Sequence, residues 1–155
     1  MTTPVRPIPQ GYHSITPYLL IRGASDAIEF YKRAFGAVEI LRLQAPDGTV
    51  GHAEIRIGDS HVMMADEVAE MDYLGPQSRG GTTVSLLLYT DDVDALFAKA
   101  LEAGATELKP LCDQFYGDRS GTVTDPWGHI WTVATHIEDL TPDEINQRFV
   151  ELFGE

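Results

Sequence analysis

One cysteine, Cys112, stands among 155 residues, so no internal disulfide can form and the chain is no disulfide-stapled secreted scaffold. Basic residues are almost as scarce: 11 lysines and arginines face 24 acids, a formal net charge of −13. Nucleic acid and anionic membranes need a basic patch that neutralises phosphates, and this balance speaks against both as partners. No apolar run approaches the length that spans a bilayer, and the opening "MTTPVRPIPQGYH" has no apolar core for export. Low-complexity tracts are missing too. The expectation is one compact cytoplasmic domain. Its surplus carboxylates serve solubility first, and they suit a cationic small molecule better than an anionic one.

What is present falls into two similar halves. The first reads as strand "SITPYLLI" (14 to 21), helix "SDAIEFYKRAFG" (25 to 36) and strands near 38 to 43, 50 to 57 and 61 to 65. The second reads as strand "TVSLLLYT" (83 to 90), helix "DVDALFAKALEAG" (92 to 104) and strands near 106 to 111, 120 to 124 and 129 to 135. Both are β-α-β-β-β. "DAIEFYKRAFGA" from Asp26 lies over "DALFAKALEAGA" from Asp94, each opening on an acid that offsets the helix dipole and closing on glycine. Ile28, Phe30, Tyr31, Ala34 and Phe35, like Leu96, Phe97, Ala100 and Leu101, recur at helical spacing and should face a sheet.

Strand alternation then separates two faces. In "GHAEIRIGDSHVMMADE" a Gly58-Asp59 turn closes a hairpin that pairs Ile57 with Ser60, Arg56 with His61, Ile55 with Val62 and Glu54 with Met63. Ala53, Ile55, Ile57, Val62 and Met64 share the face under the helix, while His52, Glu54, Arg56, His61 and Met63 share the other. On the first strand Ile15, Pro17, Leu19 and Ile21 fall on one face and Thr16, Tyr18 and Leu20 on the other; Ser85, Leu87 and Tyr89 repeat the mixed face in the second half. A sheet face that mixes Tyr, Leu, Met, His and Glu is built like the wall of a small-molecule pocket.

The segment 66 to 81, with Gly75, Pro76, Gly80 and Gly81, reads as a connector or lid, and residues 1 to 13 as an extended arm that can lie on a partner subunit. Within 137 to 155, Thr141, Pro142 and Glu144 form a helix-start signal, followed by an apolar stripe of Ile145, Phe149, Val150 and Phe153. Such a helix docks on its own domain or on a second subunit.

The strings "TPYLLIRGASDAIEFYKRAFGA", "GHAEIRIGDSHVMMADE" and "YGDRSGTVTDPWGHIW" together resemble the vicinal oxygen chelate superfamily, which includes glyoxalase I, bleomycin resistance proteins and extradiol dioxygenases, and within it the PhnB-like branch. The resemblance covers roughly residues 13 to 136. It implies an α+β fold in which two βαβββ modules, 14 to 65 and 82 to 136, form a curved-sheet cup with helices outside, a ligand within, and a homodimer. Metal-using members place ligands on the first and last strand of each module. The matching positions here are Thr16, Met63, Ser85 and Thr132, none of them a histidine or carboxylate, so the resemblance carries over the cup without the metal.

The expected function is therefore a binding protein that sequesters a drug or metabolite without a cofactor. The alternative is an enzyme of lyase, isomerase or dioxygenase type, with Glu54 and His52 handling protons or, with His61, holding a divalent metal in a rearranged site. His52 and Glu54 sit two apart on one strand, about 7 Å between Cα atoms, but Arg56 on the same face opposes a metal. Candidate ligand contacts are Thr16, Tyr18, Arg56, His61, Met63, Ser85, Tyr89, Thr132 and the loop aromatics Phe115 and Tyr116, which either stack on a ligand or fill space beneath their loop. Cys112 reads as an inert thiol, and His129 and His136 as hydrogen-bonded structural residues. In "GDRSGTVTDPWGHIW", Asp125 to Gly128 forms a turn, Trp131 points under the helix, and Asp118 and Arg119 are expected to tie down the rim loop as an ion pair, with contact to a ligand as a second duty left open.

Overall fold

A computed structural model describes residues 3 to 154 and divides the chain into two compact units, one ending at Gly81 and one beginning at Thr82. The first contains β1 (Tyr18–Ile21), α1 (Ala24–Phe35), β2 (Val38–Gln44), β3 (Val50–Ile57) and β4 (Ser60–Asp66). A 3₁₀ turn at Ala69–Met71 and the one-turn helix α2 (Pro76–Arg79) follow. The second contains β5 (Ser85–Tyr89), α3 (Val93–Ala103), β6 (Thr106–Asp113), β7 (Asp118–Thr124), β8 (Ile130–His136) and α4 (Pro142–Phe153). Both sheets have the same order, β1-β4-β3-β2 and β5-β8-β7-β6, with the first and last strands parallel and the remaining pairs antiparallel. The duplicated βαβββ reading is thus the observed α+β architecture.

In the first unit α1 lays Ala27, Ile28, Phe30, Tyr31, Ala34 and Phe35 against the sheet, all buried, over Ala53, Ile55, Ile57, Val62 and Met64, which are buried as well. Each fully buried large side chain here contributes about 1.5–3 kcal/mol relative to exposure. Asp66, at the end of β4, accepts from the backbone N–H of Gly23 and Ala24 and so satisfies the start of α1 from across the unit. Arg42 of β2 reaches Glu29 of α1 and Glu39, which also binds Lys32, joining the helix to the edge strand.

The hairpin at Gly58-Asp59 has the expected register residue for residue. β1 is shorter than expected. It begins at Tyr18, so Ile15 and Thr16 precede the strand, and Ile15 is 87% exposed instead of sharing the buried face of Leu19 and Ile21. Proline 17, which has no N–H to give a ladder, immediately precedes it.

In the second unit α3 packs Val93, Phe97 and Ala100 over Val123, Trp131 and Val133, all buried. Phe97 lies so close over Gly121 that a Cβ there would stand 2.7 Å from its Cε2. The Asp125 carboxylate accepts from Trp127 N–H, His129 N–H and the indole of Trp131, so the "DPWG" turn is tied to the core it precedes. α4 starts on Thr141, whose hydroxyl accepts from Glu144 N–H. It docks on its own unit: Phe149 and Phe153 lie 6.0 and 6.2 Å from Phe115 by ring centroid, and Arg148 donates to the Phe115 carbonyl. Val150 and much of Phe153 stay exposed.

Candidate functional site

The polar face of the first unit gathers side chains from four strands. Register places Tyr18 beside Met63, Met63 beside Glu54, Leu41 beside Glu54, Leu43 beside His52, and Arg56 beside His61. Paired residues share a face, so these form one surface opposite α1. Across it runs a continuous hydrogen-bonded row. The Tyr12 hydroxyl donates to Glu54 Oε2 at 2.9 Å, His52 Nε2 lies 3.3 Å from Glu54 Oε1, and the Tyr18 hydroxyl lies 2.8 Å from His52 Nδ1. A carboxylate oxygen accepts, so His52 donates from Nε2 to Glu54 and its Nδ1 accepts the Tyr18 O–H.

Burial governs the electrostatics of both phenols. It raises the Tyr12 hydroxyl above its ordinary value, with the Glu54 hydrogen bond adding to the effect. It likewise raises Tyr18, with Tyr73 and Glu54 adding to the effect. Both therefore stay protonated and act as donors. Tyr18 is 48% exposed, Leu41 40% and Leu43 55%, so the row has an open apolar margin.

His61 belongs to a different contact. Its ring stacks on Tyr12, centroids 3.9 Å apart and planes 17° from parallel, and its Nδ1 lies 3.1 Å from the Gly11 carbonyl. The imagined trio of His52, Glu54 and His61 is therefore split, with Tyr12 standing between His61 and Glu54. Among the described residues no three His, Cys, Asp or Glu side chains come together as a metal-holding group. The positions that match the metal-using relatives do not fit one either. Thr16 lies outside β1, Met63 offers a thioether, Ser85 a hydroxyl, and Thr132 Oγ1 is 2.9 Å from Thr122 Oγ1.

The second unit has a polar sheet face of its own composition. Ser85, Leu87 and Tyr89 of β5 lie beside Ile130, Thr132 and Ala134 of β8. The Tyr89 hydroxyl donates to Asp118 Oδ2 at 2.7 Å, His136 Nδ1 lies 2.8 Å from Asp118 Oδ1, and His136 Nε2 lies 2.7 Å from Asp139. The expected Asp118–Arg119 pair is absent. Neighbours on a strand point to opposite faces, so Asp118 turns inward and Arg119 binds Asp94 and Asp113. Asp118, then Asp139, raise the His136 imidazole above its ordinary range, and Asp118 likewise raises Tyr89. Phe115 fills space beneath α4 and meets Tyr116 edge to face. Cys112 is an exposed thiol with the Gln114 amide at 3.1 Å.

Strand-pattern reasoning did not place Tyr12, and although it set Tyr89 on this face it did not join Tyr89 to Asp118 and His136. Tyr12 follows a proline-rich arm and meets Glu54 42 positions away, so no local period marks it. Asp118 carried a signal: it is in phase with Ser120 and Thr122, and counting back from the turn sets it opposite His136.

Residues 14–133 match the model of the Glyoxalase/Bleomycin resistance protein/Dioxygenase superfamily. Protein Mb0911c of Mycobacterium bovis is 44% identical over 135 residues, 85% of this chain and 89% of that one. The crystal structure of TioX from Micromonospora sp. ML1 aligns with TM-score 0.65 at 28% identity, over 81% of this chain and 99% of the other. A PhnB protein from Bacillus cereus shares the fold with TM-score 0.63 at 22% identity, over 79% and 99% of the two chains. Among the described residues no helix is long and apolar enough to cross a membrane.

Proposed function

The chain belongs to the glyoxalase/bleomycin resistance protein/dioxygenase superfamily, and we propose that it is a metal-independent member that binds a small organic molecule on the polar sheet face of its first module. The observation that carries this is the row Glu54–His52–Tyr18, fixed by hydrogen bonds, met at its Glu54 end by Tyr12, and edged by exposed Tyr18, Leu41 and Leu43. A few convergent polar groups within an apolar margin hold and orient an organic ligand. The donor chemistry of Thr16, Met63, Ser85 and Thr132 supports the metal-independent reading, since hydroxyls and a thioether hold a divalent ion poorly. The acidic balance and the Glu54 carboxylate favour a ligand with donor groups, including a cationic one. The proposed working form is a cytoplasmic homodimer.

The test is direct. Glu54→Ala and Tyr18→Ala should weaken binding of a hit from a thermal-shift screen over antibiotics and metabolites while the melting temperature stays nearly unchanged. A large loss of stability would make these residues structural. Elemental analysis should find no stoichiometric Ni, Zn, Fe or Mn in the purified protein. An equimolar ion lost on Glu54→Ala would overturn the metal-free reading.

The contact of His52 with Glu54 supports a second reading, an enzyme of lyase, isomerase or dioxygenase type in which this pair moves a proton. Turnover of the screened ligand, abolished in Glu54→Gln while binding persists, would select it.

A further inference from the structure

We propose that Tyr12 is a built-in occupant of this site, and that the ligand it stands in for is a flat aromatic carrying a hydroxyl or another outward hydrogen-bond donor. The proposal rests on the reading of the first module's polar face as a ligand site and specifies what that site takes.

Tyr12 makes contacts of the kind a bound aromatic makes. Its ring lies flat on His61 and its hydroxyl donates to the free-facing oxygen of Glu54, two anchors on different strands. The segment that delivers it has no helix or strand. A backbone bond from Tyr12 N–H to the Pro9 carbonyl and a positive φ of 85° at Gly11 turn the chain so that the ring falls onto the sheet. Only glycine adopts that conformation readily. The buried side chains of α1 and their partners Ala53, Ile55, Ile57, Val62 and Met64 lie on the other face of the sheet, away from Tyr12.

When the arm lifts, the row keeps its remaining members. His52 still holds Glu54 Oε1 and Tyr18 still meets His52, while Glu54 Oε2 and the His61 face lose their partner together. The incoming group that replaces both contacts is a ring with a donor on its edge. A ring without the donor leaves a half-buried carboxylate oxygen unsatisfied, which penalises it. Met63, beside both Glu54 and Tyr18, supplies a polarisable contact for the ring. The tethered phenol competes with any free ligand, so apparent affinity is reduced by the fraction of molecules whose arm is docked.

The experiment compares full-length wild type, Tyr12→Ala and Tyr12→Phe, each checked for folding by circular dichroism, in NMR titrations with p-cresol and with 4-methylanisole, which lacks the O–H. Removal of one hydrogen bond and one stacked ring predicts about tenfold tighter p-cresol binding by Tyr12→Ala than by wild type. Shifts should centre on Glu54 and His61, and 4-methylanisole should bind clearly more weakly. Tyr12→Phe keeps the stack, falls between the two proteins, and carries the test if Tyr12→Ala does not fold. Equal p-cresol binding by wild type and variants, or no preference for the hydroxyl, overturns the proposal. If a screened ligand still shifts Glu54 in that case, the ligand-site reading survives its failure; if nothing shifts that face in any variant, both fall.

Discussion

Asp118 is almost fully buried with each carboxylate oxygen engaged, one by Tyr89 and one by His136. Because its hydrogen bond is the largest influence holding the His136 proton, Asp118→Asn should move the His136 titration back toward the ordinary histidine range. An NMR pH titration of the His136 ring reads this directly, and an unmoved midpoint would mean that Asp139 alone sets it. The residue also shows where a sequence can be read and where it cannot. Alternation and turn counting place Asp118 and His136 together, yet adjacency in "GDRSG" invites a pair with Arg119 that the pleat forbids. His52 and Glu54 were legible because both are in phase on one strand. Tyr12 was not, since contact between an irregular arm and a strand leaves no periodic trace.

Elements are more legible than residues because periodicity averages over many positions. The hairpin at Gly58-Asp59 and both amphipathic helices follow from alternation and 3.6-residue spacing alone. Their ends depend on distant partners. α1 is preceded by Gly23, which offers no side-chain cap, and Asp66 supplies one from β4 while also accepting from Val50 N–H at 2.6 Å. Asp66→Ala leaves three backbone donors without their charged acceptor and should cost about 2–3 kcal/mol, measured by urea denaturation. Thr141→Ala removes a local cap and should cost about 1 kcal/mol, felt as faster amide exchange in the first turn of α4 rather than as global loss. Between elements, Gly121 is the close-approach point of β7 and α3. Gly121→Ala forces Phe97 to shift and should destabilise by about 1–3 kcal/mol. A neutral result would show that α3 can slide over the sheet.

At the scale of the whole molecule, stability has a pH window set by groups with opposite signs. Glu29 and Glu39 are held below the ordinary glutamate value of 4.5, through Lys32 and Arg42 at Glu29 and through Arg42 and Lys32 at Glu39. Glu67 is lowered by Ser78 and Glu138 by Arg148. A carboxylate lowered by folding contributes stability that is present above its unfolded value and lost as pH falls through the folded one, so this contribution fades below about pH 4.5. His136 is raised above its ordinary 6.5, so its contribution is complete below that value and is lost as pH rises through the raised one. The raised tyrosines and Lys32 act only in alkali, above their ordinary values of 10.0 and 10.5. The maximum therefore lies between about pH 4.5 and 6.5, on the acid side of neutrality, where protonation also relieves some of the self-repulsion behind a net charge of −13 at pH 7. Melting temperatures across pH 3 to 9 should rise, level and then decline gently, with steeper loss in acid because several carboxylates share that limb. His136→Asn isolates the other limb: it should be less stable than wild type near pH 6 and flatter from there upward. A maximum above neutrality, or an unchanged alkaline slope in that variant, would remove His136 from the account of stability.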